Sequence, residues 1–126
     1  PDSINQIDWN WKVLNAGVVT YHKNLIALRK EHPGFRMISA NDVRKNLEFK
    51  RVEHGLISYQ INNHANGDIW NTILVVYNAK TEAVHYDLDG AWQLAVIGDE
   101  FYFEGGKLME NSVEVPPLSM LIAFQK

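Results

Sequence analysis

The sequence contains no cysteine, and this absence removes disulfides, thiolate zinc sites and cysteine nucleophiles from consideration. Long apolar runs are also lacking: the longest, such as Met120–Phe124, have five residues, whereas a membrane-spanning helix needs roughly 20. Acidic residues outnumber basic ones only slightly, with 15 Asp and Glu against 12 Lys and Arg, so the net charge is −3. Such a chain has no general attraction for a phosphate backbone, so we expect neither a membrane nor a nucleic acid as its partner.

The rest of the composition is that of an ordinary folded protein. The 126 residues are 46% apolar and 21% charged, which suits one domain with a hydrophobic core and is too short for two large ones. The chain starts at Pro1 and not at a methionine, which either a cleavage or an origin as the tail of a longer polypeptide would explain. The composition leaves the cellular compartment open.

The first third of the chain has helical periodicity. The spacing of apolar residues predicts a helix over residues 16–31. Four apolar side chains lie on one face of this helix: Val18, Tyr21, Leu25 and Leu28. Asn15 is placed to cap this helix and Pro33-Gly34 to end it. The apolar face of the helix needs a partner surface. A second, short helix is predicted over 39–46, where Ser39 and Asp42 resemble a capping box.

From residue 47 the apolar period changes to two, which predicts β-strands. Suitable runs occur at 47–50, 57–61, 72–78, 84–88, 92–96 and 120–124. Turn dipeptides such as Asn66-Gly67 and Asp89-Gly90 lie between them. Short strands at this spacing predict a mainly β, antiparallel sandwich or barrel. Because strands and helices do not alternate, a doubly wound sheet is not expected.

No group of side chains forms a self-sufficient catalytic site in the sequence. Glycoside hydrolysis needs two carboxylates across the scissile bond, but most carboxylates of the second half fall in predicted turns, where a solvated surface is the ordinary interpretation. They are Asp87, Asp89, Asp99, Glu100, Glu104 and Glu110. The histidines show no metal-ligand spacing and no G-x-S-x-G motif is present, so we expect no metal and no cofactor.

Two stretches, 2–11 and 62–71, combine aromatic rings with amide side chains. Rings can stack on the apolar faces of glucose, while Asn, Asp and Gln side chains can bond its hydroxyls. For 62–71 the favoured interpretation is a polar loop beside a core tryptophan, Trp70. For 2–9 the composition leaves a sugar contact and a structural loop equally open.

Four segments carry a resemblance to a known family. Residues 1–9 (PDSINQIDW) are similar to the S-P-D-S-x-N-x-I-D-W segment of type I pullulanases, and residues 21–36 to their Y-x-K-x-L-I-A-L-R-K-x-H-P-x-F-R helix. Residues 66–79 resemble their N-G-D-x-W-x-x-I-x-V-x-Y-N-A stretch, and residues 115–120 their closing V-P-P-x-S-M. Residues 97–112 match no part of the pattern. Pullulanases of this type are α-1,6-glucan debranching enzymes of glycoside hydrolase family 13, in the α-amylase superfamily.

The resemblance implies a fold and a division into two parts. Residues 1–36 would be the end of a catalytic (β/α)₈ barrel, namely its last βα loop and final helix. Residues 37–126 would be the antiparallel β-sandwich domain that follows. The chain would then be the C-terminal segment of a pullulanase-type hydrolase that closes and stabilises the barrel. Its partners would be the N-terminal catalytic barrel of the same enzyme and an α-glucan substrate such as pullulan, branched starch or glycogen.

The resemblance also limits which residues can act on substrate. The catalytic carboxylates of the family come from earlier barrel strands, so no catalytic residue is expected here and the chain alone should be inactive. Asp2 and Asn5 are the candidate substrate-binding residues, with Gln6 a weaker one, because a carboxylate can accept hydrogen bonds from two sugar hydroxyls. Asp8 and Trp9 are expected to tie the loop to the barrel.

Two other functions remain open on the sequence. A free-standing α-glucan-binding β-sandwich module would require Trp70 and Trp92 to be exposed and coplanar. A structural interaction domain would use the helix over 16–31 as its docking element.

Overall fold

Three α-helices and seven β-strands build the part of the chain that the computed structural model describes, residues 4–126. The helices are α1 (Asn10–Leu14), α2 (Ala16–Glu31) and α3 (Ala40–Asn46). The strands are β1 (Leu47–Glu53), β2 (Leu56–Ile61), β3 (Thr72–Asn78), β4 (Val84–Ile97), β5 (Glu100–Phe101), β6 (Leu108–Val115) and β7 (Ser119–Gln125). Two 3₁₀ turns lie at Pro33–Arg36 and Ala65–Gly67. Within these described residues, no helix has both the length and the hydropathy of a transmembrane span.

Both predicted helices are present, but only one has the predicted cap. The side chain of Asn15 makes no cap bond to α2 and donates to the Trp11 carbonyl (3.0 Å). The reason is that α1 runs almost directly into α2, which keeps Asn15 out of the extended conformation of an N-cap. Ser39 does cap α3: its Oγ accepts the Asp42 N–H (3.0 Å), and its hydroxyl donates to the Asp42 carboxylate (2.6 Å).

The strands form one antiparallel sheet in the order β1-β2-β3-β7-β4-β5, with β6 paired to β4. The central strands β3 and β7 are buried along most of their length, as the continuous apolar run of 72–78 predicts. The sequence pattern does not predict β6, whose first five residues fall within the unmatched region 97–112. Its residue Asn111 has a positive φ of 67° and lies where the pairing register with β4 shifts.

Two predicted strands, 84–88 and 92–96, are in fact a single strand, β4. The Asp89-Gly90 dipeptide does not make a hairpin there, although Gly90 has a φ of 81°. Instead the pairing register shifts between Asp87 and Ala91, so the strand bends and continues. Its first half pairs with β6 and its second half mainly with β7, and these long-range pairs decide the local structure.

This bend folds the sheet over itself into a sandwich. Tyr86 on β4 reaches Ser58 on β2, a strand that it does not pair with, and their hydroxyls lie 2.8 Å apart in the interior. One buried cluster fills the sandwich around Leu56, Leu74 and Trp92. A second cluster lies on the opposite face of β3 and β7 and includes Trp70 and Phe124.

Helix α2 covers part of this second cluster. Leu28 is fully buried there and Leu25 packs against it, so the apolar face of the helix has a partner within the chain. Tyr21 meets Phe101 edge to face with ring centroids 5.6 Å apart. Val18 and Ile26 do not take part, and each is 56% exposed. The sheet therefore covers only one part of the apolar surface of α2.

Candidate functional site: the N-terminal segment and its junction with the sheet

The N-terminal segment, residues 4–15, lies on the surface throughout. Asn5 is exposed there, whereas Asp2 lies outside the described residues. Asp8 organises the start of α1, because its Oδ1 accepts the Asn10 N–H (2.9 Å) and its carbonyl accepts the Trp11 N–H (3.1 Å). The side chain of Trp9 is 74% exposed in this chain.

The apolar side chains of the N-terminal segment are unusually exposed. Their exposed fractions run from 66% for Trp11 to 78% for Leu14. The full set is Ile4, Ile7, Trp9, Trp11, Val13 and Leu14. Single exposed apolar residues are common, but several large ones in one short segment are typical of a surface that contacts another protein surface.

The helical part of the chain meets the sheet around Asp68. We call the residues 32–36 and 64–70, which meet there, the junction. Its Oδ1 accepts bonds from His32 Nδ1 and from the Trp70 N–H, both at 2.9 Å, and its Oδ2 accepts the Gly34 N–H at 2.9 Å. An ionised carboxylate can only accept, so His32 is the donor. Asp68 and His32 are both almost completely buried. A buried carboxylate needs such donors, because burial without partners is strongly unfavourable.

Aromatic stacking extends the junction into the core. The His32 ring stacks on Trp70 with centroids 3.3 Å apart, and Trp70 stacks on Phe124 of β7 at 4.0 Å. All three rings are buried. The stack therefore links the residue that ends α2 to the middle of the sheet.

Two further residues fit the loops of the junction together. The side chain of Asn66 donates to the carbonyls of Pro33 (2.9 Å) and Arg36 (3.3 Å). Gly34 allows the close approach, because a Cβ there would lie 3.1 Å from Asp68 Oδ2 and 3.2 Å from Ile73 Cδ1.

Comparison with known proteins gives the family of the sheet. Residues 43–100 match the family described as "Pullulanase, all-beta domain". The pullulanase of Bacillus subtilis (strain 168) is 38% identical over 87 residues, which is 69% of this chain and 12% of that protein. The sheet is a pullulanase all-β domain. This confirms the resemblance and the mainly β fold that the sequence predicts.

Solved structures extend the likeness to nearly the whole chain. A pullulanase from Bacillus acidopullulyticus matches 98% of this chain with a TM-score of 0.91 and 34% identity, and 15% of that chain is covered. The type I pullulanase of Bacillus subtilis complexed with maltose matches 98% with a TM-score of 0.89 and 31% identity, over 18% of its length. This chain thus spans less than a fifth of the pullulanases that it resembles.

The pullulanase all-β domain also carries a second apolar surface, on the face of the sheet that α2 covers in part. Phe49, Val52, Ile57 and Tyr77 are 44–69% exposed. They share one face, because Val52 and Tyr77 are the direct partners of Ile57, and Phe49 is the partner of Tyr59. We call these four residues the apolar patch. Burial beside the patch, together with Tyr77, raises the pKa of the Tyr59 hydroxyl.

The tryptophans decide between two of the sequence interpretations. Trp70 is 3% exposed and Trp92 is 2% exposed, and Trp92 donates its indole N–H to the Asp89 carbonyl (2.9 Å). The interpretation of 62–71 as a polar loop beside a core tryptophan is therefore confirmed. A glucan-binding module that uses Trp70 and Trp92 as its exposed rings is wrong for this chain.

The six carboxylates of the second half that the sequence analysis considers for glycoside hydrolysis are all exposed, in agreement with their interpretation as a solvated surface. Asp68 is the one buried carboxylate among residues 4–126, and the spacing of the sequence does not predict its burial. Its signal lies in the N-G-D-x-W stretch, whose Asp and Trp both turn inward. Within the same described range, no cluster of three or more His, Asp or Glu side chains is arranged to hold a metal ion.

Proposed function

We propose that this chain is the C-terminal segment of a pullulanase-type glycoside hydrolase that cleaves α-1,6-glucosidic bonds. In this proposal residues 1–36 are the last βα loop and final helix of the catalytic (β/α)₈ barrel, and residues 37–126 are the β-sandwich domain. The observation that carries the proposal is the match of nearly the whole chain, helices included, to solved pullulanases.

The role of the segment is to close and stabilise the barrel. The apolar side chains of the N-terminal segment and of the apolar patch support this role, because both groups are exposed in this chain. Full burial of a large apolar side chain contributes roughly 1.5–3 kcal/mol. Contact with the barrel would therefore add a substantial free energy to the folded state of the whole enzyme.

The chemistry itself belongs to the barrel. A retaining or inverting glycosidase uses one carboxylate as a general acid and a second one across the scissile bond. The six carboxylates considered above are exposed, and Asp68 is already occupied by three donors. We therefore assign the two catalytic carboxylates to earlier strands of the barrel and none to this chain.

Substrate contacts are assigned to the N-terminal segment. Asp2 and Asn5 would bind glucose hydroxyls in the donor-side subsites, since the last βα loop of a barrel lies at the C-terminal face where such active sites are built. Asn5 is exposed and so is free to meet a sugar. Gln6 is the weaker candidate.

A chimeric enzyme tests the proposed function. This chain replaces the corresponding C-terminal segment of the Bacillus subtilis pullulanase, and release of reducing ends from pullulan is measured. We expect the chimera to be active, and the same enzyme without any C-terminal segment, like this chain alone, to show no activity. Activity of the isolated chain on pullulan, or a folded chimera that is as inactive as the truncated enzyme, would contradict the proposal.

The substrate contacts are tested within an active chimera. We expect Asp2→Ala to lower kcat/KM by about 10- to 100-fold, since a charged hydrogen bond contributes about 1.5–3 kcal/mol, and Asn5→Ala to lower it about threefold to tenfold. Asn41→Ala, an exposed asparagine at the start of α3, is the matched control and should leave kcat/KM unchanged. Unchanged values for both Asp2→Ala and Asn5→Ala would remove these residues from the site.

A further inference from the structure

Helix α2 is fastened to the sheet mainly at its C-terminal end, and Tyr21 adds one edge-to-face contact with Phe101 nearer its start. At its start Asn15 makes no cap bond, and the residues 16–18 are exposed. At its end the His32 N–H donates to the Leu28 carbonyl (2.9 Å), and Leu28 is 3% exposed. Arg29 and Arg36 hold the turn after the helix, by bonds to the carbonyls of Phe35 and Lys30 respectively.

The bonds that fasten this end come from one loop of the β domain. Asp68 binds both the side chain of His32 and the backbone of Gly34, and Asn66 binds two carbonyls of the 3₁₀ turn. The two oxygens of the Asp68 carboxylate thus meet one donor each from the end of α2 and from the turn that follows it, both at 2.9 Å. A shifted arrangement would leave the buried carboxylate without its donors, which is strongly unfavourable.

We propose that the junction is a latch that makes α2 part of the folding unit of the β domain. An isolated helix of 16 residues is marginal in water, so α2 depends on contacts at its fastened end. The role of the latch in the whole enzyme rests on the proposed function, in which α2 is the final helix of the barrel. The latch then anchors the last barrel helix to the sandwich, and the helix opens only when the sheet opens.

Amide hydrogen exchange on this chain tests the latch without any barrel or substrate. In the unchanged chain we expect the slowest amides of α2, over residues 25–31, to open with the same equilibrium constant as those of β3 and β7, within about threefold. In Asp68→Asn, which keeps the shape but removes the charge and at least one bond, protection of α2 should fall at least about tenfold more than protection of β3 and β7.

Tyr86→Phe is the matched control, because it removes one buried hydrogen bond on the other face of the sheet. We expect this variant to lower the protection of α2 and of the sheet by the same factor. Asn66→Gly serves as a milder variant, since glycine keeps the left-handed backbone (φ 56°) while the bonds to Pro33 and Arg36 are lost. It should shift α2 in the same direction as Asp68→Asn, by a smaller factor.

Three results would overturn the latch. One is an α2 that exchanges far faster than the sheet in the unchanged chain. Another is an equal loss of protection in α2 and in the sheet for both Asp68→Asn and Asn66→Gly. The third is a chain without protected amides. An inactive chimera would instead count against the proposed function and leave the exchange result as it stands.

Discussion

Replacing Asp68 with alanine lowers the free energy of unfolding of this chain by about 3–5 kcal/mol, the range measured when one partner of a buried, charge-assisted network is removed. The physical reason is that His32 Nδ1 and the N–H groups of Gly34 and Trp70 lose their shared acceptor in an interior that water does not reach. Urea unfolding followed by circular dichroism measures the change, and an unchanged m-value shows that the two unfolding transitions can be compared.

Asp87→Ala is the control for this experiment. The side chain of Asp87 is 90% exposed and its ion pair with His85 is on the surface, so we expect a change within about 0.5 kcal/mol. If Asp68→Ala were as mild as Asp87→Ala, the junction would contribute little to stability and the account of Asp68 would be wrong.

Trp70→Ala has a similarly large expected effect, a loss of about 3–5 kcal/mol. The indole lies between His32 and Phe124 and is 3% exposed, so its removal leaves a cavity between α2 and the sheet. Trp9→Ala removes the same side chain from a position that is 74% exposed, and we expect it to change the stability of this chain by less than about 0.5 kcal/mol.

Trp9→Ala is expected to have different effects on the stability of the isolated chain and of the chimeric enzyme. In the chimera Trp9→Ala should lower the midpoint temperature of thermal inactivation, because the barrel would cover Trp9 there. In the isolated chain it should not. A Trp9→Ala chimera as stable as the unchanged chimera would show that Trp9 makes no contact with the barrel.

Local patterns in the sequence account for the helices and the central strands. The spacing of Tyr21, Leu25 and Leu28 predicts α2 with the observed bounds, and the cap at Ser39 predicts α3. The run of 72–78 predicts the buried strand β3. In these places the local preference and the tertiary structure agree, which is why periodicity alone suffices.

The sheet shows where local patterns are insufficient. Asp89-Gly90 resembles a hairpin turn, yet β4 runs through it because β6 and β7 pair with its two halves. These partners lie far along the chain, and local propensity does not report them. Asn15 has the right residue type for a cap but the wrong backbone conformation, which α1 imposes.

The junction could not be found from spacing either. His32 and Asp68 are 36 positions apart, and the turn residues around each of them predict a polar, exposed loop. The two segments H-P-G-F-R and N-G-D-x-W both belong to the resemblance to pullulanases, but a shared pattern does not say that its members touch. The candidate site at Asp2 and Asn5 rests on the resemblance alone, and it remains a prediction.

The intact mass of the natural polypeptide that contains these residues tests the central claim most directly. We expect a polypeptide several times heavier than 14.5 kDa, in which barrel strands with the catalytic carboxylates precede Pro1. A natural product of about 14.5 kDa would contradict the account, because no barrel would then exist for the N-terminal segment and the apolar patch to contact.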